Sequence, residues 1–177
     1  MLAGFVLIGS AQSVYAVSTA KVKPKPKPYQ YVRVFYYQGG KAAKKSFFGH
    51  PKSVDVFAPQ SYTLNADGLL DGSVGSDLLA FARKNNIKVM PLITNKGFSE
   101  SGAHSLLDDP ARQNAAIVAL IAEAKDRQYW GWQFDFEQMD VSYRDKYSVF
   151  IKRAGKQMAD HNLAMSVAVV ADFAKSG

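Results

Sequence analysis

The chain has no cysteine. Disulfide staples, thiolate nucleophiles and Cys-based metal sites are therefore excluded. Histidine is scarce, and His50, His104 and His161 stand far apart, without the spacing of metal ligands. There is no Gly-x-Ser-x-Gly elbow and no P-loop. Gln38-Gly39-Gly40-Lys41 lacks the dinucleotide-binding spacing, and Gly72-Ser73-Val74-Gly75-Ser76 reads as a turn and helix cap, not a phosphate cradle. Neither a metal nor a cofactor is expected. Long hydrophobic runs are missing too: the apolar stretch over residues 2–16 is too short to span a membrane and is broken by Ser10, Gln12 and Ser13. The net charge of +7 is local. Lys21, Lys23, Lys25 and Lys27 supply four of the seven charges and leave +3 for the rest, so the basic balance gives no reason to expect a nucleic-acid partner.

The 177 residues are 47% hydrophobic, which suffices for a sizeable core. Residues 1–20 read as a secretory signal peptide, with Val14-Tyr15-Ala16 and Ser18-Thr19-Ala20 as alternative cleavage sites. The basic n-region is missing, because Leu2 follows Met1 directly; a gene start placed too late would explain that. Residues 21–28 alternate Lys and Pro. Proline blocks helix and sheet there, so the segment reads as an extended linker, with cell-wall association of this polycation as the alternative. A secreted or envelope-associated protein is expected.

Residues 29–177 alternate strand and helix patterns. Residues 31–37 are rich in aromatic and β-branched types and form the first expected strand; 54–59, 87–93, 129–137 and 164–170 are the next four. Helices are expected over 41–48, 76–85, 110–127 (Pro110 at its start, Asp108 or Asp109 as cap) and 142–161. Residues 61–68 read as a loop ending in Asp67-Gly68. Such alternation implies a parallel sheet with helical crossovers, either a doubly wound open sheet or a (β/α)8 TIM barrel.

The fourth strand carries the most specific pattern. Trp130-Gly131-Trp132-Gln133-Phe134-Asp135-Phe136-Glu137 alternates with period two. The four aromatics fall on one face; Gly131, Gln133, Asp135 and Glu137 fall on the other. Successive side chains on one strand face stand roughly 6–7 Å apart. Two carboxyls that close, on a strand packed by aromatics, repel each other and lose solvation, which pushes one towards its neutral form and makes it a proton donor. Both lie at the C-terminal end of the strand, where (β/α)8 barrels carry their catalytic groups.

This motif resembles the strand-4 signature of glycoside hydrolase family 18, Asp-Gly-x-Asp-x-Asp-x-Glu. Gly131, Asp135 and Glu137 match in place, while Trp130 and Gln133 stand where the first and second Asp would be. The amide at Gln133 resembles members of the spore-cortex-lytic N-acetylglucosaminidase subgroup, and it can still hydrogen-bond to Asp135. The resemblance implies a (β/α)8 barrel, with Glu137 as general acid/base and Asp135 orienting the substrate's acetamido group. Gln133 would border the sugar. Tyr62 lies in a segment that resembles a Ser-Tyr loop of the subgroup and would stack on the sugar, with a packed loop tyrosine as the alternative. Of Tyr36 and Tyr37, which end the first strand, one should face the barrel; Tyr37 is taken as the substrate-side residue. Asn95, Lys96 and Phe98 stand where the family has a Ser-x-Gly-Gly loop, match it poorly, and are read as shaping the loop.

A barrel of this kind runs to about 250 residues, so the resemblance covers roughly the first five-eighths of it. The family's strand-6 Tyr, which holds the acetamido carbonyl, has no counterpart in the chain. A truncated sequence or a natural fragment is therefore expected. The activity implied is cleavage of β-1,4-linked N-acetylglucosamine polymers, peptidoglycan or chitin, by substrate-assisted retaining catalysis. The alternative is a non-hydrolytic, carbohydrate-binding member of the same family.

Overall fold

The computed structural model describes residues 32–169. The expected leader (1–20) and Lys-Pro segment (21–28) lie outside them. The first strand, β1, is Val34–Tyr37, followed by helix α1, Lys41–Gly49. Strand β2, Val56–Leu64, turns back into a short β3, Leu70–Gly72, and helix α2, Ser76–Lys84, follows. The expected third strand comes in two pieces, β4 (Lys88–Val89) and β5 (Leu92–Asn95). Pro91 separates them; it has no N–H to give to a ladder. Helices α3 (Glu100–Asp108) and α4 (Pro110–Asp126) lead to β6 (Gly131–Phe134), and α5 (Arg144–Asp160) leads to β7 (Ala164–Val167).

The main path of the sheet is β1-β2-β5-β6-β7, and every pairing on it is parallel. The β/α order is that of a TIM barrel, but among the described residues the sheet is open, with β1 and β7 as its outer strands. Two elements are not visible in the sequence. Helix α3 is weak in intrinsic propensity, with Gly102 and three serines in and around it, and it starts because Ser99 Oγ accepts from Gly102 N–H at 3.2 Å. Strand β3 has three residues and is held by its antiparallel pairing with β2. The cap of α4 is Asp109, whose carboxylate accepts from the N–H groups of Ala111 and Arg112.

Between Gln60 and Tyr62 the register of β2 against β5 slips by one residue. A bulge of this kind reverses the alternation of every residue beyond it. Ala58 and Gln60 therefore face the inner side of the sheet, while Tyr62, which simple alternation would put beside them, turns to the helices. Gly72 makes the bulge possible: it pairs with Tyr62 at φ 123°, and a Cβ there would lie 2.0 Å from the Ser61 carbonyl oxygen.

The core lies between the sheet and its helices. Phe47 of α1 stacks on Phe57 of β2 with ring centroids 4.1 Å apart. Ile117, Leu120 and Ala124 of α4 and Phe150, Ala154 and Met158 of α5 are buried in the same core, where Phe150 packs edge-on to Phe134 of β6. Trp132 is wholly buried, and its indole N–H donates to the Leu120 carbonyl at 3.0 Å. Each large apolar side chain so buried contributes about 1.5–3 kcal/mol.

At the start of the sheet, Arg33 grips Asp55 by its backbone N–H and by Nε and Nη2 of its guanidinium. Those hydrogen bonds hold the Asp55 carboxyl well below the usual carboxylate range. Lys44 lowers Asp77 likewise, and Lys146 with Tyr143 lowers Asp108. A carboxyl whose pKa is depressed on folding adds stability above its unfolded pKa, and that stability is lost as pH falls through the folded value. The urea midpoint should therefore hold steady between about pH 7 and pH 5 and drop below about pH 4, the ordinary Asp range. Urea titrations at stepped pH check this; an unchanged midpoint at pH 3 would show that these pairs do not couple to folding.

Candidate active site

Strand β6 delivers the two carboxyls. Its ladder with β5 continues past Phe134, as Asp135 N–H donates to the Ile93 carbonyl at 2.9 Å, and on the other side Ala168 N–H donates to the Phe134 carbonyl at 2.8 Å. The alternation holds on this stretch. Phe134 packs edge-on to Phe150 of α5, and Phe136 stacks on Tyr147 of the same helix at 5.6 Å. Gln133, Asp135 and Glu137 consequently share the opposite face. Trp130 departs from the expected aromatic face. It precedes β6, takes the Lys88 ammonium over its ring at 4.3 Å and borders the inner side near Met90 and Ser166. The packing of α4 and α5 that fixes the faces of Trp132 and Phe134 does not reach it.

Asp135 is half-buried and borders two spaces. One is a cavity of about 190 Å3 on the inner side, lined by Tyr36, Ala58, Gln60, Gln133 and Ala168. The other is an open cleft of about 610 Å3 that Asp135 shares with Glu137, Met139 and Val169. Glu137 is exposed there. A half-buried carboxyl and an exposed one thus line the same open cleft at the C-terminal end of a central strand, and the half-buried one also borders the inner cavity.

The Glu137 peptide is held from β5. Its N–H donates to Asn95 Oδ1 at 3.0 Å, and its carbonyl accepts from Asn95 Nδ2 at 3.0 Å. Gln138, the next residue, turns away with φ 52°. Behind Asp135 stands Tyr147, whose buried hydroxyl has no hydrogen-bond partner among the described residues. Burial pushes its pKa up, and the negative charge of Asp135 raises it further. A hydroxyl desolvated without a partner is a net cost, so Tyr147→Phe should raise stability by about 1 kcal/mol; a lower urea midpoint would show that the hydroxyl has a partner in solution.

Three expectations need correction. Gln133 is buried at 6% exposure, but its Nε2 donates to Tyr36 Oη at 3.2 Å, not to Asp135. Tyr62 does not face the cleft. It is 2% exposed, its hydroxyl donates to Glu123 at 2.6 Å and pairs with Tyr129 at 2.8 Å, and its ring meets Trp132 edge-on. Of the segment read as a loop, residues 61–64 extend β2 while 65–68 turn as expected, and the bulge turns Tyr62 to the helices. Tyr37 sits at the edge of the inner cavity, but its ring packs on Phe57 of the core at 5.5 Å. Tyr36 is the inward residue of β1; it is 57% exposed and bonded to Gln133. Period two shows that the two tyrosines part company. Only the packing of Phe35 on Phe47 of α1 tells which side is which. Among the described residues, no group of His, Asp and Glu side chains is arranged to hold a metal ion.

Over 78% of its length the chain superposes on a chitinase of Chromobacterium violaceum with a TM-score of 0.71 and 23% identity, covering 45% of that chain. It superposes on the spore cortex-lytic enzyme SleL of Bacillus megaterium with a TM-score of 0.75 and 20% identity, covering 86% of this chain and 38% of that one. The fold is that of the chitinases and cortex-lytic enzymes. By sequence, the chain is 24% identical over 146 residues to the uncharacterized glycosylase YvbX of Bacillus subtilis, 80% of this chain and 42% of that protein. No protein-family model matches. The described sheet thus corresponds to part of a barrel in these proteins, and the chain spans about two-fifths of the curated relative that it matches.

Proposed function

We propose that this chain carries the acid/base portion of a family-18-type glycosidase site, acting on β-1,4-linked N-acetylglucosamine polymers, peptidoglycan before chitin. The observation that carries the reading is the pair of carboxyls, Asp135 half-buried and Glu137 exposed, on one face at the end of β6 and open to a single cleft. Similarity to a chitinase, a cortex-lytic enzyme and a glycosylase supports it.

In this reading Glu137 protonates the glycosidic oxygen as the bond to C1 breaks. The substrate's own acetamido oxygen attacks C1 and closes an oxazolinium ion. Asp135 accepts a hydrogen bond from the acetamido N–H and offsets the positive charge that develops there. Glu137, now a carboxylate, takes a proton from the water that opens the ring. Because the nucleophile comes from the substrate, the closeness of the two acids does not imply a covalent glycosyl-enzyme. Gln133 and Tyr36, bonded to each other, give the inner cavity a polar wall for the sugar. Export by the apolar leader would bring the protein to such polymers, with the Lys-Pro segment resting on anionic wall material.

The test is release of reducing ends from N-acetylglucosamine oligomers and from peptidoglycan; a protein that releases none, with its sheet closed, contradicts the proposal. The edges at β1 and β7, open among the described residues, carry a further expectation. Residues 21–177 on their own should associate in solution and turn over at least about 100-fold more slowly than a version carrying the remaining strands, since an unpaired edge templates pairing and a missing preorganised donor weakens catalysis. Size-exclusion and turnover assays of both check it. A monomer of residues 21–177 with full activity would show that the described strands suffice.

A further inference from the structure

We infer that Asn95 is a positioning residue for Glu137: its side-chain amide fixes the peptide from which the proposed acid/base projects. The inference rests on the glycosidase reading for its consequence, but not for its geometry. The parallel ladder between β5 and β6 advances by two residues at each bond. Gln133 N–H donates to the Pro91 carbonyl at 3.0 Å and Asp135 N–H to the Ile93 carbonyl at 2.9 Å. The next acceptor in that series would be the main-chain carbonyl of Asn95. Glu137 N–H goes to the side-chain oxygen of Asn95 instead, at 3.0 Å.

The substitution lets two backbones part without releasing Glu137. After Asn95 the β5 chain winds into a 3-10 turn over Lys96–Phe98 and caps α3 at Ser99. After Glu137 the β6 chain reverses through Gln138 at φ 52°. Between them the Asn95 amide holds both polar atoms of the Glu137 peptide, and its second N–H donates to the Ser99 carbonyl at 3.2 Å. Asn95 is 2% exposed, so it has no surface to offer a substrate. Glu137, by contrast, is exposed in the cleft while its backbone is clamped. Only a carboxamide of this length supplies an acceptor for the N–H and donors for the two carbonyls from one plane. Aspartate would keep the acceptor and set a second oxygen against the carbonyls of Glu137 and Ser99; alanine would remove all three bonds.

Amide hydrogen exchange on the intact chain tests the geometry without any need for turnover. In Asn95→Ala the Glu137 amide should exchange about 10-fold faster than in the wild type, the scale of one lost hydrogen bond, while the amides of Gln133 and Asp135 keep their rates. Turnover tests the consequence. For a misplacement of this kind kcat should fall about 100-fold with KM within about twofold. A merely structural role would lower the urea midpoint and leave kcat of the folded variant in place. Should Asn95→Ala not fold, Asn95→Asp carries both measurements, with the Glu137 amide still exchanging faster as the clamp loses its carbonyl side. An unchanged Glu137 amide rate in a folded variant overturns the clamp. Faster exchange with kcat untouched overturns the positioning role. A wild type without turnover even in a form with its sheet closed refutes the glycosidase reading alone, because the exchange result still decides whether Asn95 fixes Glu137.

Discussion

Replacing Glu137 by glutamine should abolish hydrolysis of N-acetylglucosamine oligomers while leaving their binding within about twofold. Glutamine keeps the length of the side chain and most of its hydrogen bonding, but it has no proton to give and no carboxylate to activate water. General acid and base contributions of this type are worth about 100- to 10,000-fold each. Both steps of the proposed cycle pass through the same side chain, so the loss should lie at the upper end of that range. Binding should survive because Glu137 stands exposed at the mouth of the cleft, whereas the inner cavity is walled by Tyr36, Gln60, Gln133 and Asp135. Calorimetry with an oligomer and reducing-end release, run side by side on wild type and variant, separate the two effects. Near-normal turnover in the variant would remove Glu137 as the acid. A joint loss of binding and turnover would assign it to substrate binding instead.

The second large effect is on the fold. Gly131→Ala should lower stability by about 3 kcal/mol, the upper range for forcing an extra carbon into a packed interior. Gly131 pairs with Ala164 across the β6–β7 ladder, and a Cβ there would lie 1.9 Å from the Ala164 carbonyl oxygen and 2.8 Å from its nitrogen. All the atoms it would meet are backbone, so no rotamer relieves the clash and the two strands must separate. Gly155, in helix α5, makes the contrast. A Cβ there meets only the end of the flexible Met165 side chain, at 3.2 Å, and alanine favours helix over glycine by about 1 kcal/mol. Gly155→Ala should therefore be neutral or stabilising. Urea unfolding of the two variants checks the pair; equal midpoints would mean that β6 and β7 are not held as closely as their ladder requires.

The alternation of strands and helices and the face occupied by Asp135 and Glu137 are both legible in the residues. Period two is a strong signal where heavy aromatics alternate with polar groups, as along Trp132-Gln133-Phe134-Asp135-Phe136-Glu137. The signal fails where the backbone breaks its own period. The bulge at Ser61 leaves no mark in composition, yet it moves Tyr62 from the cleft to the core. Tyr36 and Tyr37 are chemically the same, and only their neighbours on α1 and β2 distinguish them. Asn95 reads as part of a loop because its partner lies 42 residues away, and a side chain that completes a ladder has no local spacing to betray it. Helix α3 escapes for the converse reason: it is held by a cap and by packing, not by propensity.

The most direct measurement of the central claim is the configuration of the first product. Proton NMR of an N-acetylglucosamine oligomer, followed from the moment of mixing with the protein in a form with its sheet closed, reports the anomer released before mutarotation. Substrate-assisted cleavage with Glu137 as acid and Asp135 steadying the acetamido group predicts the β-anomer first, with the α-anomer growing in later. An α-anomer at the earliest times would mean direct attack by water from the opposite face, and it would contradict the proposed roles of both carboxyls.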